Sequence, residues 1–335
     1  MSVSVRSFAK INLGLHIGSR REDGFHELLT VYQTIAAHDV IRVSLTRGRG
    51  IEIRCADPKV PQDESNTCYR IVDKALRAMR VRIRVIVEID KKLPVEGGVG
   101  GASSNAVAAL LGLERALRKN LSAAERLRIA AEVGSDLPLF LMGGTVLGIG
   151  RGQQVYPLEE LPAIPCVVVT PAVGVSTPKA FAAWDRFRGE KARAKSGPSA
   201  AATLTAFTAS DRMNELGQGL SAWLGETYSG APQGNRRFRR GRAENLLLAL
   251  VRAGIENDFE QVVFPEYPEL KEAKRALEQA GAKYVSLSGS GSALYGLFAT
   301  REQARLAAKR LPRQGWATME TVTLTRREYW NGIMA

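Results

Sequence analysis

"LPVEGGVGGASSNAVAALLGLERAL" runs from Leu93 to Leu117, with four glycines between Gly97 and Gly101 and a helical pattern from about residue 104. Glycine costs folding entropy, so such a cluster marks a tight backbone path or something approaching the main chain closely. A glycine-rich loop that runs into a helix N-terminus suits an anion, because outward N–H groups and the helix dipole both favour negative charge. Ser103 and Ser104 add hydroxyls suited to phosphate or Mg2+. The loop lacks the Gly-Lys-Ser/Thr ending of a Walker A sequence. It is also a poor dinucleotide fingerprint: Ser103 stands where the third glycine belongs, and "DKKLP" separates the loop from the strand before it. A phosphate cradle fits these residues. So does a packing turn that needs glycine for close helix–sheet contact.

Upstream, β-rich and partly alternating runs at 3–8, 12–17, 27–35 and 39–45 predict strands, followed by "GIEIRC". Ser65 reads as the N-cap of the helix in "NTCYRIVDKALRAMR", and residues 82–89 as a further strand. After the glycine loop and its helix near 104–118, "SAAE" at 122–125 forms a capping box whose helix Gly134 stops. A strand at 145–150 and the prolines at 157, 162 and 165 lead to a boundary. Beyond it the rhythm changes. Strand 166–170, a helix opening at "STPKAFAAWD", helices near 244–253 and 268–280, strands 283–288 and 293–298 around "GSGS", helix 301–311 and strand 319–325 follow in turn. Strand, helix, strand, strand, helix, strand is the ferredoxin-like order. There is no internal repeat.

The chain of 335 residues is long for one core and comfortable for two. No apolar run approaches the roughly 18 residues of a membrane span. The N-terminal residues lack the apolar core of a signal peptide. Cys55, Cys68 and Cys166 show neither disulfide nor metal-ligand spacing, which predicts reduced thiols in a cytoplasmic protein. The net charge is +13, and residues 186–242 carry 11 Lys+Arg against 4 Asp+Glu, a net of +7. Over half of the excess is therefore local. "KSGPSAAA" and "YSGAPQGNRRFRRG" flank a stretch in which Met213, Leu216, Leu220 and Trp223 could line a short helix, so this region predicts a surface insertion.

Two charged residues stand in unusual settings. Lys10 lies between two β-rich runs in "SFAKINLGLHI", and Asp136 follows a helix in "EVGSDLPLF". Each alone reads as an edge charge or a turn residue. Taken with "AKINLGLHIGSRREDGFHELLTVYQTI", "LPVEGGVGGASSNAVAAL" and "LSGSGSALYGLF", they resemble the GHMP kinases. Within these, the "AK-N-L" run, "DGFHEL" and "GSDLP" resemble the branch acting on 4-diphosphocytidyl-2-C-methyl-D-erythritol in the non-mevalonate isoprenoid pathway.

The resemblance covers nearly all the chain except about 186–242. It implies an α+β, two-domain GHMP kinase fold. Residues 1–162 would be like domain 2 of ribosomal protein S5, and residues 163–335 would be ferredoxin-like, with the basic insertion inside them. By matching position it implies catalytic roles for Lys10 and Asp136. It gives an ATP-binding role to Pro94, Val95, Glu96, Gly97, Gly98, Val99, Gly100, Gly101, Ala102, Ser103 and Ser104, and an adenine-pocket role to Asn66. Asn12, Phe25, His26, Thr177 and Phe181 match positions lining the cytidine and erythritol site, the two phenylalanines offering stacking faces and His26 a hydrogen bond to a base edge. The implied cofactors are ATP and Mg2+, with no metal held by protein ligands alone. The implied partner is the small-molecule substrate, without nucleic acid or membrane, in a monomer or homodimer. Family loops often carry glycine at Ala102, leucine at Val99 and tyrosine at Phe25. Two other readings compete: a kinase of homoserine or a mevalonate-type alcohol, and an S5-like RNA-binding protein using the basic insertion.

Overall fold

The computed structural model describes residues 2–195, 256–311 and 315–334. The first half is a sheet covered by helices. Strands β1 (Ser2–Arg20) and β2 (His26–Thr46) form a long antiparallel pair. The four short strands expected here are thus two long ones. The irregular points between them are register shifts, at Phe8/Ala9, Asn12/Gly14 and Ile17/Arg20 in β1. A bulge bends a strand and re-aims its side chains without ending it, and Lys10 sits between the first two shifts. The other edge of β2 pairs with β4 (Arg84–Asp90) at one end and β5 (Thr145–Gly150) at the other, with β3 (Gly50–Cys55) and β6 (Gln154–Pro157) outermost.

Helices α1 (Thr67–Met79), α2 (Gly101–Leu117) and α3 (Ala123–Val133) cover this sheet. The cap of α1 is Asn66, one residue later than expected, because Asp63 captures both the amide and the hydroxyl of Ser65. Helix α2 buries twelve of its residues, from Gly101 to Glu114, which marks a central helix rather than a surface one. A Cβ at Gly112 would lie 2.7 Å from Val43, so glycine there lets α2 settle onto the sheet. The capping box of Ser122 and Glu125 and the stop at Gly134 are present as expected. The one-turn α4 (Leu137–Phe140) follows.

The second half builds a four-stranded antiparallel sheet in the order β10-β7-β9-β8. Its strands are β7 (Pro165–Thr170), β8 (Tyr284–Leu287), β9 (Leu294–Leu297) and β10 (Ala317–Val322). Helices α5 (Thr177–Lys195), α6 (Glu260–Glu266), α7 (Pro268–Gln279) and α8 (Arg301–Arg310) pack on it. This is the ferredoxin-like order read from the sequence. Two differences stand out. Residues 186–195, assigned above to the insertion, continue α5, because no strong helix breaker intervenes before Gly197-Pro198. Helix α9 (Arg326–Gly332) was not anticipated, and it returns to the first half, where Leu324, Tyr329 and Ile333 join the core of α1, α2 and α3. The rest of the expected insertion, with Met213 to Trp223 and the 236–242 arginines, and the helix near 244–253 lie outside the described residues.

The two sheets share a core. Ile11, Leu13 and Ile35 of the first pack with Cys166, Val168, Tyr295 and Leu297 of the second. The glycine loop and Lys10 border this seam.

Candidate active site

The glycines of the loop are needed first by the protein itself. Gly98 has φ +73°, and a Cβ there would collide with the carbonyl oxygen of Ser288 in the β8–β9 turn. Gly100, at φ +72°, faces Phe140 and the side chain of Lys10. Only Gly101 faces a movable group, the Lys91 ammonium, 3.2 Å from where its Cβ would be. The packing account of the cluster holds at Gly98 and Gly100, where the close approach is made by protein.

The hydrogen bonds of the loop are one-sided. The carbonyls of its four residues before the helix accept: Gly97 from Ala293 N, Gly98 from Ser288 Oγ, Val99 from Lys10 N and Gly100 from Ser104 N. The amides of Gly98, Val99 and Gly100 find no acceptor among the described residues, and α2 has no side-chain cap. Carbonyls turned into the protein and amides left over make an anion cradle at a helix N-terminus. The loop borders a cavity that also takes in Lys59, Asn66, Thr67 and Lys91. Lys91 escaped the sequence reading. Its ammonium donates to the buried Asp39 at 2.7 Å, and the same carboxylate accepts from the amides of Lys92 and Leu93. Asp39 thereby anchors the start of the loop. Nothing in "DKKLP" distinguishes Lys91 from Lys92; only the fold separates them.

Ser103 lines the cavity, whereas Ser104 does not. Its hydroxyl accepts from Ser7 Oγ at 2.7 Å, 2% exposed. Successive helical residues point about 100° apart, so two adjacent serines cannot both face a ligand. Asn66 borders the cavity, with its amide engaged: Oδ1 caps α1 at Cys68 N and Nδ2 donates to Pro61 O.

On the other side of the loop Lys10 and Asp136 meet. Lys10 Nζ lies 3.6 Å from Asp136 Oδ2, an ion-pair distance, and donates a hydrogen bond to Asn12 Oδ1 at 2.6 Å. Lys10 is buried, while the Asp136 side chain is 34% exposed, so the carboxylate is the member a ligand can reach. Burial holds the Lys10 ammonium below its ordinary pKa, against the opposing pull of Asp136. Tyr32, also unforeseen, donates from Oη to Asp136 Oδ1 at 3.1 Å. Asp136 precedes α4, and α9 holds that turn in place: Tyr329 Oη donates to Phe140 O at 2.6 Å and Trp330 Nε1 to Met142 O at 3.0 Å.

Asn12 is a buried strut. It accepts from Lys10 and from Gly289 N at 3.0 Å, and donates to Thr30 Oγ1. Thr177 opens α5, shares a 2.8 Å hydrogen bond with Ser290 and borders a second cleft with Glu96 and Gly98. His26 stacks on Phe181 at 4.9 Å with 9° between the rings. His26 Nε2 is paired with Asp185 at 2.7 Å, which leaves Nδ1 for a ligand. Phe25 is half exposed, with the Arg151 guanidinium 4.8 Å from its ring centre. Among the described residues no cluster of three His, Cys, Asp or Glu could hold a metal ion, and no helix is long and apolar enough to cross a membrane.

Unpaired amides at a helix N-terminus thus lie beside a buried lysine whose carboxylate partner is part-exposed, an arrangement with the chemistry that phosphate groups and a hydroxyl acceptor would need. Residues 66–144 match the model of the GHMP kinases N terminal domain, and residues 238–317 match that of the GHMP kinases C terminal. The chain is 34% identical over 330 residues to the 4-diphosphocytidyl-2-C-methyl-D-erythritol kinase of Solibacter usitatus (strain Ellin6076), covering 98% of this chain and 90% of that protein. It belongs to the GHMP kinases, ATP-dependent small-molecule kinases of two-domain α+β fold. A crystal structure of 4-(cytidine 5'-diphospho)-2C-methyl-D-erythritol kinase superimposes with a TM-score of 0.69 at 28% identity, covering 96% of this chain and 98% of that one. Homoserine kinase from Cytophaga hutchinsonii shares the fold, with a TM-score of 0.66 at 19% identity over 97% and 95% of the two chains.

Proposed function

We propose that this chain phosphorylates the 2-hydroxyl of 4-diphosphocytidyl-2-C-methyl-D-erythritol with ATP, a step of the non-mevalonate isoprenoid pathway. The observation that carries the reaction is the half-exposed Asp136 carboxylate backed by the buried Lys10 ammonium. The observation that carries the substrate is the likeness to kinases of that name along almost the whole chain.

In this reading Asp136 takes the hydroxyl proton as the alcohol oxygen attacks, which an alcohol needs near neutral pH. Lys10 pairs with the carboxylate and offsets the negative charge that develops on the oxygen and the transferred group. Phosphoryl transfer passes through a loose transition state, so holding the groups in line and neutralising charge supply most of the rate. The free amides of Gly98 to Gly100 and the head of α2 hold the phosphates, with Lys59 and Lys91 adding positive charge. ATP supplies the phosphoryl group and Mg2+ neutralises part of its charge. Ser103, whose side chain borders the loop cavity, would join the ligands of that ion. Phe25, His26 and Phe181 form the aromatic group suited to cytosine, with Thr177 across the cleft. Residues 1–162 act as the nucleotide-binding half, and the substrate sits between them and residues 163–335, with Asn12, Phe25 and His26 on one side and Thr177 and Phe181 on the other. Three free cysteines, two of them buried, accord with a reducing cytoplasm.

Phosphorus NMR of a reaction with ATP and Mg2+ tests the reading. A new phosphate monoester on the tertiary 2-hydroxyl, formed as ATP becomes ADP, is expected. An unchanged cytidine substrate with folded protein would overturn it.

A further inference from the structure

Asp136 has a second partner that the transfer chemistry does not by itself require. Tyr32 stands on β2, 2% exposed, and donates to Oδ1 at 3.1 Å, while Lys10 of β1 faces Oδ2 at 3.6 Å. Each carboxylate oxygen is thus addressed from a different strand. The terminal torsion of an aspartate is broad and soft, so one partner alone leaves the carboxylate free to turn. Two partners on two oxygens fix its plane.

The chain keeps space for this phenol. A Cβ at Gly148, in β5, would collide with the Tyr32 ring, and one at Gly152 would collide with its hydroxyl. Gly152 has φ +93°, and its Cβ position lies 4.0 Å from Asp136 Oδ1. A phenylalanine would use the room at Gly148 equally well; the room at Gly152 serves the hydroxyl. Burial and the neighbouring Asp136 anion push the phenol pKa well above its ordinary value, so Tyr32 remains a donor at neutral pH. The Lys10 ammonium also lies 5.7 Å from the centre of the same ring. Tyr32 therefore touches both members of the pair.

We propose that Tyr32 is the positioning residue of Asp136: its hydroxyl fixes the plane of the carboxylate and turns the open lone pair toward the substrate alcohol. This rests on Asp136 being the base. Lys10 from β1 and Tyr32 from β2 face the two oxygens of Asp136, and the β5–β6 turn, which carries Arg151, Gly152 and Gln153, passes beside Oδ1 at Gly152.

The test is Tyr32→Phe, alone and combined with Asp136→Asn, in the full chain. The ring and its packing stay, and water can solvate the released, part-exposed oxygen, so the melting temperature should hold. We expect kcat to fall about 5- to 30-fold with both KM values within about twofold, the signature of an interaction used in the transition state. In the Asp136→Asn background the same change should cost less than about twofold, because residues acting through one another are not additive. A wild-type kcat in Tyr32→Phe, or an equal loss in both backgrounds, would overturn the proposal while leaving Asp136 as the base. Near wild-type kcat in Asp136→Asn would remove the base assignment and this inference with it.

Discussion

Lys10 Nζ sits 3.6 Å from Asp136 Oδ2 and only 2.6 Å from Asn12 Oδ1. The lysine is thus tied to Asn12 and shared with the aspartate, which stays open on its solvent side. That division of labour separates the two residues experimentally. Asp136→Asn keeps the shape and removes the proton acceptor, so kcat should fall about 10²–10⁴-fold with little change in substrate affinity. Lys10→Ala should lower kcat by a similar order and should also cost stability, because it empties a buried site and strips Asn12 of a partner. Steady-state kinetics and thermal unfolding of the two variants check this.

Burial moves the Lys10 pKa down from 10.5. The ammonium is lost as pH rises through that lowered value, so the alkaline limb of kcat should fall below pH 10.5. The sign for stability is opposite. Between the two values the unfolded chain binds the proton more readily than the native one, so the contribution of this group to stability rises with pH. Activity should therefore decline over that window without unfolding caused by Lys10. A pH–rate profile run beside circular dichroism reads both.

Gly98 and Gly101 differ in what a methyl group would meet. Gly98→Ala forces a left-handed alanine against the Ser288 carbonyl and should destabilise the protein by about 2 kcal/mol or more. Gly101→Ala meets only the tip of Lys91 and should leave the melting temperature within a few degrees. Its effect should fall on ATP, as several-fold weaker binding in a calorimetric titration.

Phe181→Ala removes a ring stacked on His26 and set edge-on to Phe259. The KM for the cytidine substrate should rise about 5- to 100-fold, the scale of a base–aromatic contact of about 1–3 kcal/mol, while the KM for ATP stays unchanged. An equal rise in both would make Phe181 a packing residue.

The glycine loop was legible as a candidate anion cradle from its own residues, whereas Lys10 and Asp136, each an edge charge or turn residue by itself, were singled out only by the resemblance to the GHMP kinases. The ferredoxin-like strand order was legible because hydrophobic period and turn residues alternate cleanly along the second half. What escaped depends on distance in sequence. Tyr32 is 104 residues from Asp136, and Tyr329 is 189 from the carbonyl that it holds. Nothing in "LLTVYQTI" marks its tyrosine as facing a carboxylate, since alternation fixes only which face of the sheet it shares. Local competition accounts for the rest: Asp63 displaced Ser65 as a cap, and helical rotation turned Ser104 away from the loop cavity and toward Ser7.

The most direct measurement is kcat/KM for 4-diphosphocytidyl-2-C-methyl-D-erythritol beside homoserine and mevalonate, with ATP and Mg2+ held constant. The proposed function predicts turnover of the cytidine substrate at least about 10³-fold above either alcohol, since neither small molecule offers a base to the aromatic group. Comparable or faster turnover of homoserine or mevalonate would contradict it.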